Sequence, residues 1–110
     1  MATLATLIKL EVILERPRLA RVLDMLEVEG VRGWTVLSTE QGRGVHGAWH
    51  GGEPTGISDH ALLFTVCTPE VADRLMERLG PRLEELAVVV MRSEVQVMRP
   101  QHFQGEGPTR

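Results

Sequence analysis

In LIKLEVILE, residues 7–15, the side chains of Ile8, Leu10, Val12 and Leu14 alternate with Lys9, Glu11 and Ile13. A period of two with one apolar set marks a strand with one buried face, and it decides how this chain must begin. Pro17 then suits the first turn of a helix. Leu19, Val22, Leu23 and Leu26 follow at i, i+3, i+4 and i+7, and Gly30 supplies a stop. GWTVLST, residues 33–39, reads as a second strand, and HALLFTVCT, residues 60–68, as a third with apolar groups on both faces. Thr68 and Pro69 fit the N-cap and first position of a second helix, with Val71, Leu75 and Leu79 on its buried stripe. LAVVVM and SEVQVM, within residues 86–98, close the pattern as one long strand or two short ones, and residues 104–110 read as a loose tail.

The order β-α-β-loop-β-α-β predicts a ferredoxin-like α+β sandwich over residues 1–103. Four antiparallel strands carry two helices on one face, and a long loop, about residues 40–58, joins strands two and three. One sheet face is then left over. Leu62, Leu63, Phe64 and Val66 cannot all lie under helices, because successive side chains point to opposite faces. We therefore expect a homo-oligomer, as a closed ring, to cover the free face. The alternative is that these groups belong to strand ends or to a face covered by the loop.

The interruption itself, EQGRGVHGAWHGGEPTG at residues 40–56, carries glycine at 42, 44, 47, 51, 52 and 56 and is expected to hold no regular structure. So long an insertion in a small domain points to function. Gly42 and Gly44 flank Arg43, so the backbone could turn its N–H groups toward one anion while the guanidinium offers a bidentate fork. Each such charge-assisted bond contributes about 1.5 to 3 kcal/mol, so Arg43 needs a second arginine to reach micromolar affinity for a phosphate. Trp49 is an exposed hydrophobe of the kind a partner's pocket buries, and with His50 and Glu53 it is assigned to partner contact.

His46 and His50, spaced H-x3-H, also permit a metal reading. They could act as a pair only if the loop curled into helix, which its glycines oppose, and no third ligand is fixed by spacing. No tightly bound metal is expected. The rival class is nevertheless a ferredoxin-like metal-responsive binding protein using the histidines and Cys67, which otherwise reads as a small buried hydrophobe. Trp34 is expected at an interface or core edge.

Composition removes other classes. A net charge of −3 over 110 residues provides no basic field for nucleic acid. No window nears the roughly 18 apolar residues of a membrane span, and the start lacks the pattern of a secretion signal, so a cytoplasmic, non-membrane protein is expected. No nucleophile and base are paired by motif, and Asp24, Glu27, Glu29, Asp73, Glu77 and Glu84 fall on helix surfaces or turns, so no enzyme is expected. Acylphosphatases share the topology but cradle phosphate after strand one, where this chain has only ERP. RNA-recognition domains stack bases on strand aromatics, and here only Phe64 lies in a central strand.

GWTVLSTEQGRG, with G-x-T-V followed by G-R-G at the root of a glycine-rich loop, resembles the PII signalling proteins, over about residues 4–103. GRG, GEPTGISD and SEVQVMR, in that order, are similar to the PII-like branch associated with carboxysomes and bicarbonate transport. The resemblance implies a trimer of ferredoxin-like subunits with an adenine nucleotide in the clefts between them. It implies bicarbonate as a second candidate ligand and a transporter or carboxysome-related enzyme as the protein target. It places Gly33, Thr35, Val36, Gly42, Arg43, Gly44, His46, Arg92 and Arg99 at the nucleotide, with the Thr35 hydroxyl at the base edge and Arg99 reaching from the neighbouring subunit.

The departures are informative. The chain has no tyrosine, so the loop tyrosine modified in nitrogen regulators is missing, and Gly44 stands where those proteins carry the glutamine that holds 2-oxoglutarate. Their glycine-rich second loop with its phosphate-binding lysine is missing from EELAVVVMRSEV, so AMP, ADP or cyclic AMP is expected in preference to ATP. The branch commonly carries arginine at the position matching His46. A histidine there would be partly charged near pH 6.5, so phosphate affinity would rise as pH falls.

Overall fold

The computed structural model describes residues 3–44, 47–50 and 59–98. β1 (Leu4–Glu15) is the central spine: it pairs antiparallel with β5 (His60–Cys67) on one side and with β6 (Val89–Met98) on the other. β2 (Trp34–Ser38) adds to the far edge of β5, so the sheet order is β2-β5-β1-β6. The alternation read from residues 7–15 sorts as expected: Ile8, Leu10, Val12 and Leu14 enter one cluster with Val22, Met25 and Leu26 of α1 (Leu19–Val28) and Ala72, Leu75 and Leu79 of α2 (Pro69–Leu79). This is the ferredoxin-like α+β sandwich, with both helices on one face. Leu10, Leu14, Leu63, Leu75 and Leu86 are the largest fully enclosed leucines, and each stabilises the fold by on the order of 1.5–3 kcal/mol.

Local signals hold with small shifts. Pro17 lies in a single 3-10 turn, residues 16–18, and the α-helix proper starts at Leu19. Gly30, at φ +78°, takes the left-handed conformation that ends the α1 segment. Thr68 caps α2, its hydroxyl accepting from the Val71 N–H at 3.4 Å, with Pro69 in the first turn. An additional short helix, α3 (Leu83–Leu86), follows α2 and is pinned by the fully buried Leu86. It ends at Ala87 with φ 53° and ψ 46°, so the last strand begins at Val89 rather than Leu86 and runs as one piece.

The insertion after β2 departs from expectation. Gln41–Gly44 forms β3 and Gly47–His50 forms β4, paired antiparallel from Gln41↔His50 to Gly44↔Gly47. Three of the glycines that argue against regular structure in the sequence, Gly42, Gly44 and Gly47, are here part of a ladder, and Gly51, Gly52 and Gly56 lie outside the described residues. The hairpin needs one of them: Gly47 sits at φ +113°, a conformation that strains any side-chain-bearing residue.

The sheet face away from the helices carries no described element. The strand pairing arranges it in rows: Leu37, Leu62, Ile13 and Val89; then Thr35, Phe64, Glu11 and Met91; then Val66, Lys9 and Ser93. Leu37, Val89 and Met91 are among the exposed large hydrophobics. The surplus of apolar groups on β5 is therefore real: Ala61, Leu63 and Cys67 point into the core, and Leu62, Phe64 and Val66 stand on the open face, half-buried.

Candidate functional site at the hairpin root

Three strand ends are tied together where the hairpin leaves the sheet. The backbone N–H of Arg16, just past β1, donates to the Asp59 carbonyl at 2.9 Å, and its guanidinium Nη2 donates to Ser38 Oγ at 2.8 Å. Thr39 donates to the His60 carbonyl twice, through its N–H at 3.3 Å and its hydroxyl at 2.9 Å. The hairpin thus starts from a fixed base. Arg16, Ser38 and Thr39 position it, and none is marked by sequence reasoning, because each acts through a contact between segments more than twenty residues apart.

The opposite end of β2 is anchored from inside the core. Thr65, the buried polar residue of β5, donates its hydroxyl to the Gly33 carbonyl at 2.5 Å. This bond holds Gly33, which the family resemblance puts at the nucleotide. Thr35 is exposed on the open face of this edge strand, opposite Phe64, and its hydroxyl is available to a ligand. Val36 is not available in that way: it stands opposite Leu63 and its side chain packs against the core, so only its backbone could meet a ligand. Trp34 is 49% exposed at the sheet edge, which favours the interface side of its expected placement.

Arg43 is exposed in β3, opposite Ala48, with no hydrogen-bond or ion-pair partner among the described residues. The expected anion nest does not form around it. Gly42 and Gly44 lie in extended ladder positions, and neither has the positive φ that such a nest requires. What remains of the phosphate argument is the guanidinium itself.

Arg92 is already engaged, its Nη1 donating to Asp73 Oδ1 on α2 at 2.9 Å. It stands on β6, and Arg43 follows β2, at the other edge of the sheet. Three strand spacings of about 4.8 Å put those edges about 14 Å apart. Trp49 and His50 take backbone places in β4 opposite Gly42 and Gln41. His46, Glu53 and Arg99 lie outside the described residues.

The metal reading gains no support at Cys67. It is buried, and desolvation pushes its thiol up to about 11, against a smaller opposing influence of Arg92, so it is not a thiolate at neutral pH. Among the described residues no group of three or more His, Cys, Asp and Glu side chains is placed to hold a metal ion. A shallow groove of about 240 Å³ between the helices is lined by Arg21, Asp24, Met25, Val28, Arg78 and Arg82, none of them a residue of the hairpin root.

Residues 7–102 match the sequence profile of the family described as nitrogen regulatory protein P-II. The chain belongs to this family. Among solved structures it is similar to CPII, a nitrogen regulatory PII-like protein from Thiomonas intermedia K12 bound to ADP, AMP and bicarbonate, with 30% identity and TM-score 0.85 over 93% of this chain and 97% of that one. A second structure of CPII, bound to ADP and bicarbonate, gives 30% identity and TM-score 0.81 over 93% and 98% of the two chains. A PII-like signalling protein from Thermus thermophilus shares the fold at 22% identity and TM-score 0.79, over 91% and 97%. No curated protein sequence matches significantly. As a P-II family member the chain carries the family's sheet and helices. Before β6 it has the short helix α3, with Glu84 and Glu85 exposed. No described helix is long and apolar enough to cross a membrane.

Proposed function

We propose that this P-II family chain is a regulatory, non-enzymatic, cytoplasmic sensor. It binds ADP or AMP, with bicarbonate as a co-ligand, in the clefts of a homotrimer and signals through its hairpin to a protein of inorganic-carbon metabolism. One observation carries the reading: a protein 30% identical over nearly the whole chain holds ADP, AMP and bicarbonate. Two features of this chain support it. The open sheet face is apolar and wants a cover, and Arg92 lies on edge strand β6 while Arg43 lies in the hairpin that follows the opposite edge strand, β2, an arrangement that lets neighbouring protomers supply the two arginines to one site. In this reading Gly33, Thr35 and the Val36 backbone meet the base edge. Arg43, with Gly42, Gly44 and His46, meets the phosphates of one protomer's site, and Arg92 and Arg99 come from its neighbour. Trp49, His50 and Glu53 meet the protein target.

Diphosphate and monophosphate are favoured over triphosphate because α3 adds two carboxylates and no lysine near the start of β6. Calorimetry with AMP, ADP and ATP, each with and without bicarbonate, tests the ligand assignment, and sedimentation tests the trimer. Micromolar ADP or AMP binding that Arg43→Ala weakens about tenfold or more is the expected result. No heat with any nucleotide, or a monomer in solution, overturns the proposal.

A further inference from the structure

The open sheet face is apolar along its length except at its centre. The row Leu37, Leu62, Ile13 and Val89 lies on one side, and the pairs Leu7↔Val95 and Ala5↔Val97 on the other, with Leu7 already buried within the chain. Between them stand Lys9 and Glu11, successive residues on this face of β1, with side chains 32% and 30% exposed. The next charged neighbours on the face, Glu15 opposite His60, are at the strand ends. In one chain the central charges are only loosely satisfied. Lys9 Nζ is 3.9 Å from Glu11 Oε2, at the outer limit of an ion pair, and 5.0 Å above the Phe64 ring.

Any partner that covers the apolar rows must also desolvate these two charges. That is unfavourable unless the partner offers an acid to Lys9 and a base to Glu11 at the same spacing, within matching apolar rows. A second copy of this chain offers this set. Head-to-tail contact around a rotation axis repeats it until the ring closes. We propose that Lys9 of one protomer pairs with Glu11 of the next at the centre of a ring of identical copies, so that the charged row selects self over other apolar surfaces. The inference rests on the oligomer part of the function proposed above and adds the residues that decide partner choice and register. A single misplaced charge there acts against association.

The test uses charge reversal on the full chain, read by native mass spectrometry and sedimentation, with circular dichroism to check folding. Lys9→Glu leaves two acids and Glu11→Lys two bases, so like charges meet across every contact. Each variant alone should need a concentration at least about tenfold higher than wild type to assemble. Mixing the two should recover assembly in part, as mixed trimers in which two of the three contacts again pair opposite charges, which also shows that both chains fold. A purely internal Lys9–Glu11 pair cannot produce that recovery. If wild type assembles and either reversal leaves assembly unchanged, or if the folded mixture assembles no better than either variant alone, this inference is wrong and the function proposed above stands. A monomeric wild type removes both.

Discussion

Arg92 on β6 and Asp73 on α2 are joined by a 2.9 Å hydrogen bond between Nη1 and Oδ1, and this pair occupies one of the arginines assigned to phosphate. An exposed pair of this kind stabilises a protein by only about 0–1 kcal/mol, so a phosphate can compete for the guanidinium. Asp73→Ala should leave the urea midpoint nearly unchanged and tighten ADP binding about two- to threefold by releasing Arg92, as calorimetry would read. An unchanged affinity would assign Arg92 to helix–strand packing alone.

Thr65 is the buried hydroxyl that holds the Gly33 carbonyl. Thr65→Val keeps the volume and strands the acceptor, so it should destabilise the fold by about 1–2 kcal/mol. Urea denaturation measures this directly, and a midpoint within error of wild type would show that the bond contributes nothing.

Ala87 ends α3 at φ 53°, a conformation that costs a side-chain-bearing residue on the order of 1–2 kcal/mol and that helices commonly assign to glycine. Ala87→Gly should raise stability by about 0.5–1 kcal/mol after the larger entropy loss of glycine is subtracted. Ala87→Val should lower it. The pair of variants read in one denaturation series makes the sign unambiguous.

Glu29 accepts from Arg74 Nε at 2.8 Å and from Arg78 Nε and Nη2 at 3.0 and 2.6 Å, clamping the end of α1 to α2. Arg78 first, and then Arg74, hold its carboxyl below the ordinary value of 4.5. A carboxyl with a lowered folded-state pKa contributes stability that is present above its unfolded value and is lost as pH falls through its folded value. Wild type should therefore be more stable than Glu29→Gln at pH 7, with the gap closing as the pH drops below about 4.5. Denaturant midpoints at pH 7, 5, 4 and 3 check the trend, and a constant gap would contradict it.

Cys67 is 2% exposed and its thiol is pushed up to about 11 by burial. At pH 7.5 it should react with a thiol reagent at least about a hundredfold more slowly in the folded protein than in urea, since only the accessible thiolate is nucleophilic. Comparable rates in the two states would place the sulfur at the surface.

The sheet and the two main helices were legible because their signals are local. Alternation in residues 7–15 specifies the buried face of β1, and Thr68-Pro69 specifies the start of α2. The hairpin was not legible, because glycine carries no side-chain periodicity and its ladder is defined by pairing alone. The short α3 was missed because four residues are too few to show a helical period, and burial of Leu86 decides it. At the site, the exposed Arg43 was readable from its setting. The nest around it was not, since glycine permits both the nest and the extended strand. Arg92's engagement with Asp73 joins residues nineteen apart on different elements, and no spacing rule marks it. The apolar surplus on β5 was readable because a strand with both faces greasy announces more contact than two helices can provide.

Because the segment after β2 is a paired ladder rising from an anchored base, it can behave as a stiff arm. Four residue pairs span about 13 Å, so a tilt of about 20° at the Thr39–His60 anchor would sweep the far end through about 4–5 Å. With a foot one strand spacing wide, about 4.8 Å, that tilt takes about 1.6 Å of movement there, so the arm multiplies a shift at its base nearly threefold before another molecule meets its far end.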